Sequence, residues 1–191
     1  MSFRRQAAMG AVLAVMVPVA GLAPAHAEVF DKGHFAFERS VNEELCGIAV
    51  LAETVASGHF RDRTGKHELD QAFFSQASFK FTDTITNLAT GDSFSVEGRL
   101  TIMDVKAIPL GGNIFEFKVR ESGTVVVRDM EGNVVLHDRG AIWRTFVFDT
   151  LGDSQPGGEV LEEIVDRVSG PHPRFEQDEA AFCDMVHDLI G

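Results

Sequence analysis

The chain has 191 residues, with 17 Lys or Arg against 29 Asp or Glu and a net charge of −12. That excess of acid argues against nucleic acid and against anionic membrane surfaces, because affinity for both is built on Lys and Arg meeting phosphates.

The chain opens Met-Ser-Phe-Arg-Arg, runs through an almost wholly apolar stretch from Ala11 to Ala23, and reaches Pro24-Ala25-His26-Ala27. A basic start, a short apolar run and a small-x-small end predict a secretory signal peptide spanning residues 1–27. The run is far short of the ~20 residues that a permanent spanning helix needs. No Cys follows it, so a lipid anchor is not supported. Arg4-Arg5 admits a twin-arginine signal as the alternative to an ordinary basic start. Residues 28–191 then form one β-rich domain of 164 residues. Cleavage removes two basic and no acidic residues, leaving a charge of −14 on an exported, extracellular protein. No second apolar segment is long enough to span, so no stable membrane insertion is expected after cleavage. The charge itself suits solubility.

Strand patterns follow in order. Phe35, Phe37 and Val41 alternate with polar residues, and Ile48 to Val55 forms a second run. Phe79, Phe81 and Ile85 alternate with Lys80, Thr82, Thr84 and Thr86. Ala89 to Ser93 reads as a hairpin turn into the clearest strand, Phe94 to Val105. There Phe94, Val96, Leu100 and Ile102 face one way, and Ser95, Glu97, Arg99 and Thr101 the other. Gly98 interrupts the apolar side, as a bulge or a close backbone approach would. Leu110 to Asn113 turns the chain into Phe115, Phe117 and Val119; Val125 to Arg128 follows. Met130 to Asn133 turns it again into Val134 to Leu136, and Ala141 to Asp149 carries Trp143, Phe146 and Phe148. About eight strands joined by short turns predict a single antiparallel up-and-down β-barrel. A two-sheet β-sandwich is the alternative. Glu159 to Val168 fits helix or strand and is read as a last strand. Asp178 to Ile190 is a C-terminal helix, with Asp178 as N-cap and Phe182, Met185, Val186 and Leu189 as its apolar stripe.

Cys46 and Cys183 lie 137 positions apart. An even pair in an oxidising compartment predicts a disulfide. It would pin the terminal helix to an early strand.

Leu45-Cys46-Gly47-Ile48, Thr86 to Gly91, Ser169 to Pro173 and Phe182-Cys183-Asp184, taken in that order, resemble a broad group of small secreted proteins of actinobacteria, mostly uncharacterised. The resemblance spans most of the domain. It implies secretion, one disulfide and an antiparallel, barrel-like β domain, and it carries over no catalytic residue.

Chemistry is hard to find along the chain. There is no Gly-x-Ser-x-Gly elbow, and the cysteines are expected to pair. His34, His59, His67, His137, His172 and His187 include no His-x-x-x-His or His-Glu-x-x-His spacing. His59 and His67 could meet across a hairpin beside Asp62 or Glu68, but surface histidines are the plainer reading. Asp149 to Asp153 lacks the order of a calcium loop. Paired acids for glycosidic chemistry leave no trace in spacing, and an aromatic platform for sugars is missing. No catalytic residue, metal or cofactor is expected.

Two features stand out. His59, Arg61, Arg63 and Lys66 make a local basic patch in an acidic chain, suited to an anion or acidic partner, or to a solvated hairpin edge. The strand phenylalanines Phe79, Phe81, Phe94, Phe115 and Phe117 either fill a core or line a pocket for a small apolar ligand. The leading expectation is a non-catalytic barrel that binds such a ligand or an extracellular protein. One alternative is an isomerase- or cyclase-type enzyme whose deep cavity holds a buried polar group near Glu97, Arg99 or His137. A structural cell-surface protein is the other.

Overall fold

The computed structural model describes residues 29–65, 72–152, 158–173 and 178–191. The expected signal peptide lies outside them, as do Lys66, His67, Glu68 and most of the 152–158 loop.

Seven antiparallel strands follow one another in a single sheet: β1 (Val29–Leu45), β2 (Ile48–Thr64), β3 (Phe73–Asn87), β4 (Ser93–Gly111), β5 (Ile114–Arg128), β6 (Val134–Asp149) and β7 (Glu159–Ser169). The C-terminal helix α1 (Glu179–Ile190) follows. The fold is all-β, up-and-down and one sheet thick, which removes the sandwich.

Two corrections to the expected barrel have physical causes. The count is seven because Val125–Arg128 continues the strand that starts at Ile114, and Ala141–Asp149 continues the one that starts at Val134. Gly123 and Gly140, which look like breaks, are register partners in mid-sheet. The sheet is also not closed: no ladder joins β1 to β7 among the described residues. With an odd number of antiparallel strands the first and last run the same way, so closure would require a parallel pair.

The turns follow local chemistry. Cys46 (φ 51) and Gly47 (φ 81) both adopt left-handed backbone, as the tight two-residue turn between β1 and β2 requires. Asp178 caps α1 by accepting from the Ala181 N–H at 2.8 Å. Cys46 and Cys183 are bonded, with Cα atoms 5.3 Å apart, and tie α1 to the first turn. Val186 and Ile190 on α1 pack with Val50, Ala52, Ile85, Phe94, Val127 and Leu136. The buried Asn87 side chain donates to the Ile190 carbonyl at 2.6 Å, satisfying one open acceptor at the helix end. A second cluster, at the other end of the same sheet face, joins Phe74, Ala107, Phe115, Phe117 and Val119. The face bearing both clusters is called inner below.

Candidate functional site

Directly paired residues share a face of a sheet. The register therefore lays out the inner face of β1–β4 in rows. Val41, Ala52, Ile85 and Phe94 belong to the helix-covered cluster. Next come Arg39, Thr54, Asp83 and Val96. Then follow two aromatic rows: Phe37, Ala56, Phe81 and Gly98, and Phe35, Gly58, Phe79 and Leu100. Below them lie Gly33, Phe60, Ala77 and Ile102, and last Asp31, Asp62 and Ser75, with Asp104 beyond.

In the first aromatic row large and small residues alternate from strand to strand, and in the second Gly58 separates Phe35 from Phe79, so rings lie beside neighbours that lack bulk. A Cβ on Gly98 would overlap the Phe81 ring, and one on Gly58 would overlap Phe79. Phe35 stacks on Phe37 at 6.3 Å between centroids, and Phe35–Phe79 and Phe79–Phe81 meet at 6.3 and 6.2 Å. These distances are favourable for aromatic pairs. All four rings are only half-buried, and none belongs to either core cluster. They form an apolar shelf. Between Asp83 and Ser75 the shelf runs eight residues along β3, about 26 Å.

Carboxylates bound the shelf at both ends. Burial pushes Asp83 above the usual range, against a hydrogen bond from Thr54. Burial likewise raises Asp62, opposed by Ser75 and reinforced by Asp31. Asp104 is pushed up to about 6, chiefly by burial; the Ser75 N–H donates to it at 2.6 Å and opposes the rise, Asp62 adds to it, and Arg63 counters it. Among the described residues no group of three or more His, Cys, Asp or Glu is arranged to hold a metal.

The expected ligand-lining phenylalanines divide. Phe79 and Phe81 are on the shelf, joined by Phe35 and Phe37, which alternation placed on a strand without marking them as a site. Phe94 is buried under the helix, and Phe115 and Phe117 lie in the second cluster. Of the expected basic patch, His59 and Arg61 point to the outer face, whereas Arg63 sits beside Phe74 of the second cluster and apart from them. His59 faces His34 across the ladder at 6.2 Å between rings. Arg63 lies over the Phe74 ring at 4.5 Å. Glu97, Arg99 and His137, expected near a deep cavity, are all exposed on the outer face.

A buried polar cluster was not legible in the sequence. His172, 4% exposed, reaches back over Gly140 and binds Asp138, also 4% exposed, at 2.7 Å through Nδ1. Its Nε2 is 3.2 Å from the Ser169 carbonyl. Nearby Arg144 contacts Glu121 at 3.8 Å and Glu163 at 2.5 Å. Both ring nitrogens of His172 face oxygen acceptors, so the ring ties the segment after β7 to β6. The cavity beside it, lined by Glu121, Asp138 and Gly123, has a volume of about 10 Å³, enough for one water and no substrate. Among the described residues no helix is long and apolar enough to cross a membrane. Comparison of the chain with family models, curated proteins and solved structures finds no match.

Proposed function

We propose that the chain is an exported, non-catalytic binding protein that takes an elongated apolar ligand on the shelf of Phe35, Phe37, Phe79 and Phe81. One observation carries the reading: four rings in a continuous chain of contacts stay half-exposed although the same sheet face has two covered cores. Exposed apolar clusters of this kind mark binding surfaces. The disulfide supports export into an oxidising compartment. An open sheet serves this role, and a closed barrel is not needed. The enzyme alternative gains no support from a cavity the size of one water.

Titration calorimetry with a neutral probe, decyl maltoside below its micelle concentration, tests the proposal. Saturable binding is expected, weakened about tenfold by Phe35→Ala or Phe79→Ala, as losing about 1.4 kcal/mol of ring contact implies. Unsaturable uptake, or binding indifferent to both variants, would sink it.

The exposed edge favours a second reading. Val160, Leu161, Ile164, Val165 and Val168 on β7 are 41–52% exposed. The far side of β7 pairs with no strand among the described residues. An extended partner segment could add there as an eighth strand. Slower amide exchange along β7 in the presence of extracellular proteins would support it, and unchanged exchange would count against it.

A further inference from the structure

The outer face carries a pattern that no stretch of sequence displays. Following the register across all seven strands gives one row with Lys32, Arg61, Arg120 and Arg167, in which Gln76, Met103 and Trp143 occupy the remaining places. Four residues further along the strands, another row holds Lys80, Arg99 and Arg139 among Ala36, Ser57 and Thr124. Between them runs a row of imidazoles and hydroxyls that includes His34, His59, Ser78, Thr101 and Ser122. The three rows contain seven Lys or Arg, every one exposed, and not one Asp or Glu. In a chain of net charge −12 this is a strong segregation. None of the seven forms an ion pair among the described residues. Arg120 and Arg167 instead flank the Trp143 ring at 5.8 and 4.9 Å.

We propose that this band binds a linear anionic polysaccharide, carboxylated or sulfated, lying across the strands. Six inter-strand spacings make the band about 29 Å long, and four residues make it about 13 Å wide. Carboxylates stand on both sides: Glu38 and Glu97 along one margin, with Glu97 paired to Arg128, and Asp166, paired to Lys118, at the β7 end of the other. A single chain fits between them. A bilayer or a nucleic-acid duplex is broader and would press phosphates against Glu38 and Glu97. Single-stranded nucleic acid is held mainly by stacking bases on aromatic rings, and the one indole here, Trp143, already lies beside two guanidiniums. The middle row supplies donors and acceptors for sugar hydroxyls, and guanidiniums in the outer rows suit carboxylate or sulfate. Recognition is by charge, so the missing aromatic platform for neutral sugars is no obstacle. This surface lies on the opposite side of the sheet from the shelf and does not depend on it.

The test uses the protein on immobilised polygalacturonate and heparin, with dextran as neutral control, across a salt series from about 50 mM upward. Retention on at least one polyanion is expected, none on dextran, with affinity falling as salt rises. Replacing Lys80, Arg99 and Arg120 by Ser should weaken binding about tenfold or more, since each removed contact reduces the salt-dependent attraction. These side chains are exposed, so circular dichroism should be unchanged; the pair Lys32→Ser and Arg61→Ser provides an independent check. Arg39→Ser, on the inner face, should have no effect. No retention on either polymer overturns the proposal. So does equal weakening by Arg39→Ser, or tighter binding to oligo-dT or to phosphatidylglycerol vesicles.

Discussion

The inner face of the sheet is built from the same kinds of residue at both sides and ends in two different states. On β5, Phe115, Phe117, Val119, Glu121, Val125 and Val127 are all buried. On β1, Phe35 and Phe37 take the same face and neither is buried. The difference lies in what covers them. Helix α1 closes one end of the central strands, and Phe74, Phe146 and Phe148 pack against Phe115 and Phe117 at the other. β1 is an edge strand, and nothing among the described residues roofs its rings. Alternation along a strand tells which face a side chain takes; it does not tell whether that face has a lid.

The largest expected effect separates the halves directly. Phe117→Ala should cost about 3–5 kcal/mol in urea unfolding, as emptied core sites do. Phe79→Ala, half-exposed, should cost about 1 kcal/mol while carrying the larger loss of ligand binding. Equal costs would erase the distinction between core and shelf. Next comes the lid. Cys183→Ala should lower stability by about 2–4 kcal/mol, since the bond closes a long loop, and should loosen α1 from Val50 and Leu136. An unchanged melting temperature would remove the disulfide from this account.

A smaller effect, opposite in sign, is expected at the end of the shelf. Asp104 has its folded-state pKa raised from 3.8 to about 6. The folded protein therefore holds a proton there that the unfolded chain releases first. Stability should decline as pH rises from about 4 to about 6 and stay level above that. Asp104→Asn should flatten this slope and stabilise the protein at neutral pH by about 1–3 kcal/mol. Melting temperatures at a few pH values across that window decide it, and a variant with the parental slope would refute the assignment. The smallest change is Gly98→Ala. Its Cβ would lift the Phe81 ring off its neighbour. We expect less than about 1 kcal/mol in stability because the ring is already half in solvent, with weaker uptake of the neutral probe as the clearer readout.

Local chemistry made much of this legible in advance. The turns at 89–93, 110–113 and 130–133, the Asp178 cap and the last strand all depend on neighbours within a few residues. What stayed hidden depends on register. Gly123 and Gly140 look like interruptions until each is seen to face the other. The bulge between Asp104 and Lys106 exchanges the two faces of β4, so that Phe94 and Ala107 are both inner residues despite their parity. Asp138 and His172 are 34 positions apart, with no spacing to connect them. The basic band is the extreme case. His59 and Arg61 showed one corner of it, and the remainder is assembled one residue per strand.

The Cys46–Cys183 bond also has a mechanical meaning. It makes a covalent ring of everything from the first hairpin turn to the middle of α1, so β2 through β7 lie wholly inside. Tension applied at the two ends of the domain passes through the sulfur bridge and bypasses those six strands. Under load, only β1 can peel away and only the final turns of α1 can unwind. Both the aromatic rows of β3 and most of the basic band would stay assembled on a protein stretched between two attachments.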